Sequence, residues 1–124
     1  MLNESVYQLI YDEISDFLPA SWEKIVVYLE HGEDSYSYSF YVKNNNEYKK
    51  CFDLENISEE KLLSSFARIE KVIAKERKKE KNVWSNMTMI IDKKGALKVD
   101  FDYTDLSDGT YQYKKEWKKK YLNE

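Results

Sequence analysis

Residues 84–106 read WSNMTMIIDKKGALKVDFDYTDL. Two strand-like runs, Trp84 to Asp92 and Ala96 to Tyr103, flank Lys93-Lys94-Gly95. In the second run Leu97, Val99, Phe101 and Tyr103 alternate with Lys98, Asp100 and Asp102. A strand sends successive side chains to opposite faces, so the apolar set shares one face and the charged set the other. A turn this short joins antiparallel neighbours. The stretch therefore predicts a β-hairpin, anchored in the core by Leu97, Val99 and Phe101 and ending in an acidic, aromatic corner.

Working outward, Lys24 to His31 (KIVVYLEH) is rich in β-branched residues and predicts a strand. In Ser35 to Val42 serine alternates with Tyr36, Tyr38 and Phe40, and Val42 keeps the register, so the large residues share one face. Gly32-Glu33-Asp34 turns the chain between these two strands. Asn44-Asn45-Asn46 supplies the next turn, because asparagine tolerates left-handed backbone angles. Glu47 to Phe52 predicts a third, shorter strand.

Three segments keep a helical period instead. A helix is expected over residues 3–18, where Leu2, Val6, Leu9, Ile10, Ile14, Phe17 and Leu18 recur at spacings of three and four; Asn3 is the expected N-cap and Pro19 the stop. From Ser58 to Lys79 the stripe is Leu62, Leu63, Phe66, Ile69, Val72 and Ile73, with Ser58 as cap and Glu59 and Glu60 at the positive end of the helix dipole. Tyr111 to Leu122 sets Tyr113, Trp117 and Tyr121 four apart, a stripe to pack on the domain while its lysines face water. The order α-β-β-β-α-β-β-α predicts an α+β fold: one domain over residues 1–124, with a five-stranded antiparallel sheet and helices packed on it.

Composition narrows the function classes. Three glycines and one proline leave no glycine-rich phosphate loop, and the single cysteine allows neither an internal disulfide nor a thiolate zinc site. No apolar run approaches the length of a membrane span, and the first residues lack a basic n-region, so neither a membrane segment nor a signal peptide is expected. The expected location is the cytoplasm. Charge is divided along the chain. Residues 1–60 hold 4 Lys/Arg against 13 Asp/Glu, whereas residues 61–124 hold 16 against 10. Such asymmetry accompanies charged partners or two differently solvated faces.

Chemistry-bearing residues are few. His31 and Cys51 would need a third group to make a nucleophile pair, and no neighbour in sequence offers one. Asp100 and Asp102 lie on one strand face about 7 Å apart, with Asp105 and Asp108 following in the loop. Carboxylates in such number bind a hard cation, or pair with lysines and arginines of a basic partner; their spacing does not match a calcium-binding helix–loop–helix.

The segments Trp84-Ser85-Asn86-Met87-Thr88 and Val99-Asp100-Phe101-Asp102-Tyr103-Thr104-Asp105-Leu106 resemble the signature of the YezG-like immunity proteins. Leu18-Pro19-Ala20-Ser21-Trp22-Glu23-Lys24-Ile25 resembles the family's Pro-x-x-Trp-Glu-Lys segment, and Trp117-Lys118-Lys119-Lys120-Tyr121-Leu122 its C-terminal segment. The chain departs from that pattern at Val83, where proline is expected, and at Asn123, where glycine is expected; residues 43–82 match in pattern only. The resemblance implies a small cytoplasmic antitoxin of Gram-positive bacteria. Such a protein binds and neutralises a cognate polymorphic toxin, often the C-terminal nuclease domain of a toxin exported by type VII secretion. It implies no enzyme activity, no cofactor, no membrane and no direct nucleic-acid binding.

On this reading the candidate toxin contacts are Asp100, Asp102, Tyr103, Asp105 and Asp108, with Asp12, Glu13 and Asp16 on the first helix as secondary candidates. Trp22 and Trp84 are expected in the core. Two readings from other classes stand beside it. One is a metal-dependent enzyme using Asp100, Asp102 and Asp105. The other is a nucleic-acid-binding module using the lysines of 75–81 and 114–120; a pI near 5.3 counts against it.

Overall fold

Sequence periodicity and structure agree on eight principal elements. In chain order they are α1 (Glu4–Ser15), β1 (Lys24–His31), β2 (Tyr36–Asn44), β3 (Glu47–Lys50), α2 (Glu59–Arg77), β4 (Asn86–Asp92), β5 (Leu97–Asp102) and α3 (Tyr111–Leu122). The computed structural model describes residues 4–32, 35–81, 83–107 and 109–123. The expected cap at Asn3, and Glu33 and Asp34 of the first turn, lie outside the described residues.

All strand pairs are antiparallel, in the order β3-β2-β1-β4-β5. β1, buried along almost its whole length, is central, and α2 carries the chain from the β3 side to the β4 side. Asn45 and Asn46 adopt φ of 53° and 64° and join β2 to β3 through a two-residue turn. Two positive φ values are what a tight hairpin of this hand requires. Gly95, at φ 88°, serves the β4–β5 turn, and Asp92 Oδ1 accepts the amides of Lys94 and Ala96 there.

The sheet buries both faces. On the first face Ile25, Val27, Leu29, Phe40, Val42, Met87 and Met89 meet Ile10 and Ile14 of α1 and Leu62, Phe66, Ile69 and Ile73 of α2. Each helix contributes its three-and-four stripe. Ser58 caps α2, its hydroxyl accepting from the Lys61 amide at 3.3 Å. On the second face Val26, Tyr28 and Tyr41 form a smaller core with Trp117 and Leu122 of α3. Trp117 stands edge-on to Tyr28 with ring centroids 4.8 Å apart.

Several boundaries and two burials differ from the sequence-based expectations, each for a local reason. Leu63, expected in the α2 stripe, is 53 % exposed because it lies at the stripe's margin beside buried Leu62. α1 ends at Ser15, because Pro19 restricts Leu18 and the chain tightens through Phe17 N–H to Ile14 O and Leu18 N–H to Ser15 O. β3 stops at Lys50. Cys51–Asp53 forms a 3-10 turn that buries Cys51 and leads into buried Leu54. β4 begins at Asn86, since the Trp84 carbonyl accepts from Arg77 Nε and Nη2 at 2.9 and 2.6 Å and so leaves the strand ladder. In β5 only Val99 and Phe101 pack on the first core. Leu97 remains 46 % exposed because β5 is an edge strand.

Candidate functional site

β5 and α3 position the aspartates. Asp100 and Asp102 face α3, and each accepts a phenol hydrogen from it. Tyr121 OH lies 2.9 Å from Asp100 Oδ2, and Tyr113 OH lies 2.8 Å from Asp102 Oδ2. The two aspartates, two residues apart on β5, thus pair with two tyrosines eight positions apart on the helix, with Trp117 between them over Tyr28 and Tyr41. Asp102 Oδ1 also accepts from the Thr104 amide and hydroxyl at 3.0 and 2.7 Å, which ends the strand in a side-chain-capped turn. Burial alone would raise Asp102; the Thr104, Tyr113 and backbone hydrogen bonds outweigh it and hold the carboxyl below its ordinary value. Burial and Asp100 push Tyr121 up to about 12, and burial and Asp102 raise Tyr113. These two aspartates are therefore docking points for α3 as well as partly exposed acids. Between α3 and β5 lies a cleft of about 590 Å³.

The corner beyond β5 is the more open part. Tyr103 is 58 % exposed. Asp105 is exposed, and its Oδ1 accepts the Ser107 amide at 2.9 Å. That bond, with the Ser107 hydroxyl, lowers its pKa. Asp108 lies outside the described residues. Gly109, at φ 117°, turns the chain into α3. Tyr111, not among the contacts expected from sequence, is 81 % exposed at the start of α3. The signal for it was available: Tyr111 falls outside the Tyr113/Trp117/Tyr121 stripe. Exposed tyrosines on both sides of an acidic loop are typical interface chemistry.

The secondary candidates are elsewhere. Asp12, Glu13 and Asp16 belong to α1 and its end, on the first face of the sheet, whereas Asp100 and Asp102 are on the second. Glu13 is held by Arg68 Nε at 3.0 and 2.9 Å, and Asp12 accepts from Gln8 at 2.8 Å.

His31 and Cys51 do not meet. His31 stands opposite Tyr36 in register, and Cys51 lies by the Phe40 amide, four residues or about 13 Å further along β2. Burial raises the Cys51 thiol, which disfavours the thiolate. His31 belongs to a buried polar cluster not anticipated from sequence. Its Nε2 is 2.6 Å from Tyr38 OH and 3.0 Å from Glu70 Oε1. Burial and the Arg77 guanidinium push its pKa down to about 4. Glu70 and Arg77 extend the α2 stripe at four and eleven residues beyond Phe66, so the helical period brings them to the core edge. Among the described residues no three His, Cys, Asp or Glu side chains come together as a metal site. The oxygens of Asp100 and Asp102 are turned to Tyr121, Tyr113 and Thr104 instead.

Comparison with known proteins adds the deciding observation. The family described as immunity protein YezG-like matches residues 3–124. The chain belongs to the YezG-like immunity protein family. It is similar to immunity protein YezG of Bacillus subtilis strain 168, at 27 % identity over 112 residues, which span 83 % of this chain and 74 % of that protein. Immunity protein YezG of Bacillus spizizenii strain W23 is 26 % identical over 110 residues, spanning 82 % and 68 %. Membership supports an immunity role and implies a cognate toxin as partner. No described helix is long and apolar enough to cross a membrane. The structure also accounts for Asn123. It follows α3 at φ 58° and ψ 34°, the left-handed C-terminal position that glycine favours and asparagine tolerates.

Proposed function

We propose that this protein is a cytoplasmic, non-enzymatic antitoxin that binds a secreted toxin's nuclease domain and blocks it. The type VII route is the export pathway this reading assigns to the toxin. The single observation that carries the reading is the family match over residues 3–124.

The contact surface proposed is the corner at Tyr103 and Asp105, bordered by Asp100 and Asp102; Asp108, outside the described residues, stays a candidate on its place in the sequence. A nuclease cleft is basic because it holds phosphates. Carboxylates steer a basic partner into place, and exposed tyrosines add apolar area with little conformational entropy to lose. Asp12, Glu13 and Asp16 make a second acidic surface on the other side of the sheet. Tyr103 and Asp105 are exposed, whereas Asp100 and Asp102 also hold α3. The inhibition needs no metal and no cofactor.

The test is co-purification with the C-terminal domain of the cognate toxin. A stable complex is expected, and it should lose affinity as salt rises because charge guides its formation. Toxin domain that elutes alone in the presence of excess immunity protein would refute the proposal.

A further inference from the structure

β2 is covered along only half its length. It pairs with β1 from Tyr36 to Lys43, but β3 pairs only with Tyr41 to Asn44 before the chain leaves in the 3-10 turn at Cys51. The register shows which backbone groups are left. His31 N–H donates to Ser85 O on the β4 side, and Gly32 N–H donates to Ser35 O on the β2 side. Backbone groups alternate sides along a strand, so Glu30 and Tyr28 bond to β2, and Ser37 and Ser39 bond back. Tyr36, Tyr38 and Phe40 then turn their N–H and C=O groups outward. The Phe40 amide meets the Cys51 thiol there. Tyr36 and Tyr38 have no neighbouring strand among those described.

A groove of about 600 Å³ runs along this edge. Its two walls differ in chemistry. On the first-face side are Tyr36, Phe52 and Leu63, with Leu63 53 % and Tyr36 43 % exposed. On the second-face side are Lys50, Lys114 and Lys118, and no described carboxylate lines the groove. Glu30, opposite Ser37 in register, is engaged by the Tyr28 hydroxyl. A strand laid against this edge would send alternate side chains to an apolar wall and a cationic wall.

We propose that the open edge of β2 at Tyr36 and Tyr38 receives an extended segment of a partner protein as a sixth strand, one that alternates apolar with acidic side chains. Main-chain hydrogen bonds to the two tyrosines supply attachment, and the two walls supply selectivity. Charge complementarity argues against a second copy of this chain: the same edge would bring Ser37, Ser39 and three lysines against their own like. The surface is at the opposite end of the sheet from β5 and the acidic corner, and the inference does not depend on the toxin reading.

The experiment uses the full chain, nuclear magnetic resonance and hydrogen exchange. The probes are a short peptide alternating Val and Glu, its Val–Lys counterpart and a single-stranded oligonucleotide. The Val–Glu peptide is expected to give saturable shifts and slowed exchange at the Tyr36 and Tyr38 amides. A Lys50→Glu/Lys118→Glu variant should weaken it about tenfold or more, and Leu63→Lys, an exposed change on α2, should weaken it independently. The Val–Lys peptide should leave those amides unchanged. Absence of saturable shifts, equal binding of the Val–Lys peptide, oligonucleotide binding at the same amides, or self-association through this edge would each overturn the proposal.

Discussion

The Trp117 indole nitrogen donates to the Thr88 hydroxyl at 2.8 Å, joining the middle of α3 to the middle of β4. Thr88 in turn donates to Asn86 Oδ1 at 2.9 Å, and Asn86 Nδ2 reaches the Leu29 carbonyl. A buried relay thus runs from the C-terminal helix into the central strand. Trp117→Ala removes its head and empties the second core, and should destabilise the protein by about 3–5 kcal/mol. Urea unfolding measures this, and hydrogen exchange should show α3 losing protection first. A loss under about 1 kcal/mol would mean that α3 is not anchored here.

If the proposed toxin surface is right, Asp102 and Asp105 should separate structure from binding. Asp102→Asn should weaken α3 docking, because Tyr113 and Thr104 lose a charged acceptor, at a cost of about 1–2 kcal/mol. Asp105→Asn should lower the melting temperature less than Asp102→Asn, because its side-chain oxygen can still accept the Ser107 amide, and should weaken toxin binding about tenfold. Calorimetry of folding and of binding on the two variants gives both readouts. Equal thermal destabilisation by both would contradict the separation.

The low pKa of Asp102 has a definite acid signature. Its stabilisation is present above the unfolded aspartate value and is lost as pH falls through the lower folded one. Near those values the acid sensitivity of wild type should exceed that of Asp102→Asn. Identical acid titrations of stability would remove Asp102 from the account.

His31 acts earlier in the same direction. Its pKa falls from 6.5 to about 4 in the fold. The unfolded chain therefore takes up a proton that the fold refuses, and stability falls as pH drops from 6.5 towards 4, by a few kcal/mol at most. Glu70, raised by burial, binds its proton more readily in the fold and offsets part of that loss. His31→Gln should flatten the slope of unfolding free energy against pH between 6.5 and 4. An unchanged slope would show that His31 is not held neutral.

Local chemistry was readable wherever it repeats. The Asn45-Asn46 turn, the Ser58 cap and the Tyr113/Trp117/Tyr121 stripe each state a backbone or packing requirement within a few residues. The partners of those groups were not readable. That Tyr113 and Tyr121 would meet Asp102 and Asp100 depends on α3 crossing the second face of a sheet whose order is set by long-range pairing. The arrest of β4 at Trp84 depends on Arg77 arriving from another element. The aspartates looked like one free acidic cluster because alternation reports which face a side chain takes and nothing of what covers that face.

On the proposed reading this immunity protein silences a nuclease by direct binding through the corner at Tyr103 and Asp105. The most direct measurement is the nuclease activity of the cognate toxin domain titrated with wild-type protein and with Tyr103→Ala/Asp105→Asn. Activity should vanish with wild type at stoichiometric excess, and the variant should inhibit at least about tenfold more weakly. Nuclease activity that persists under excess wild-type protein would contradict it.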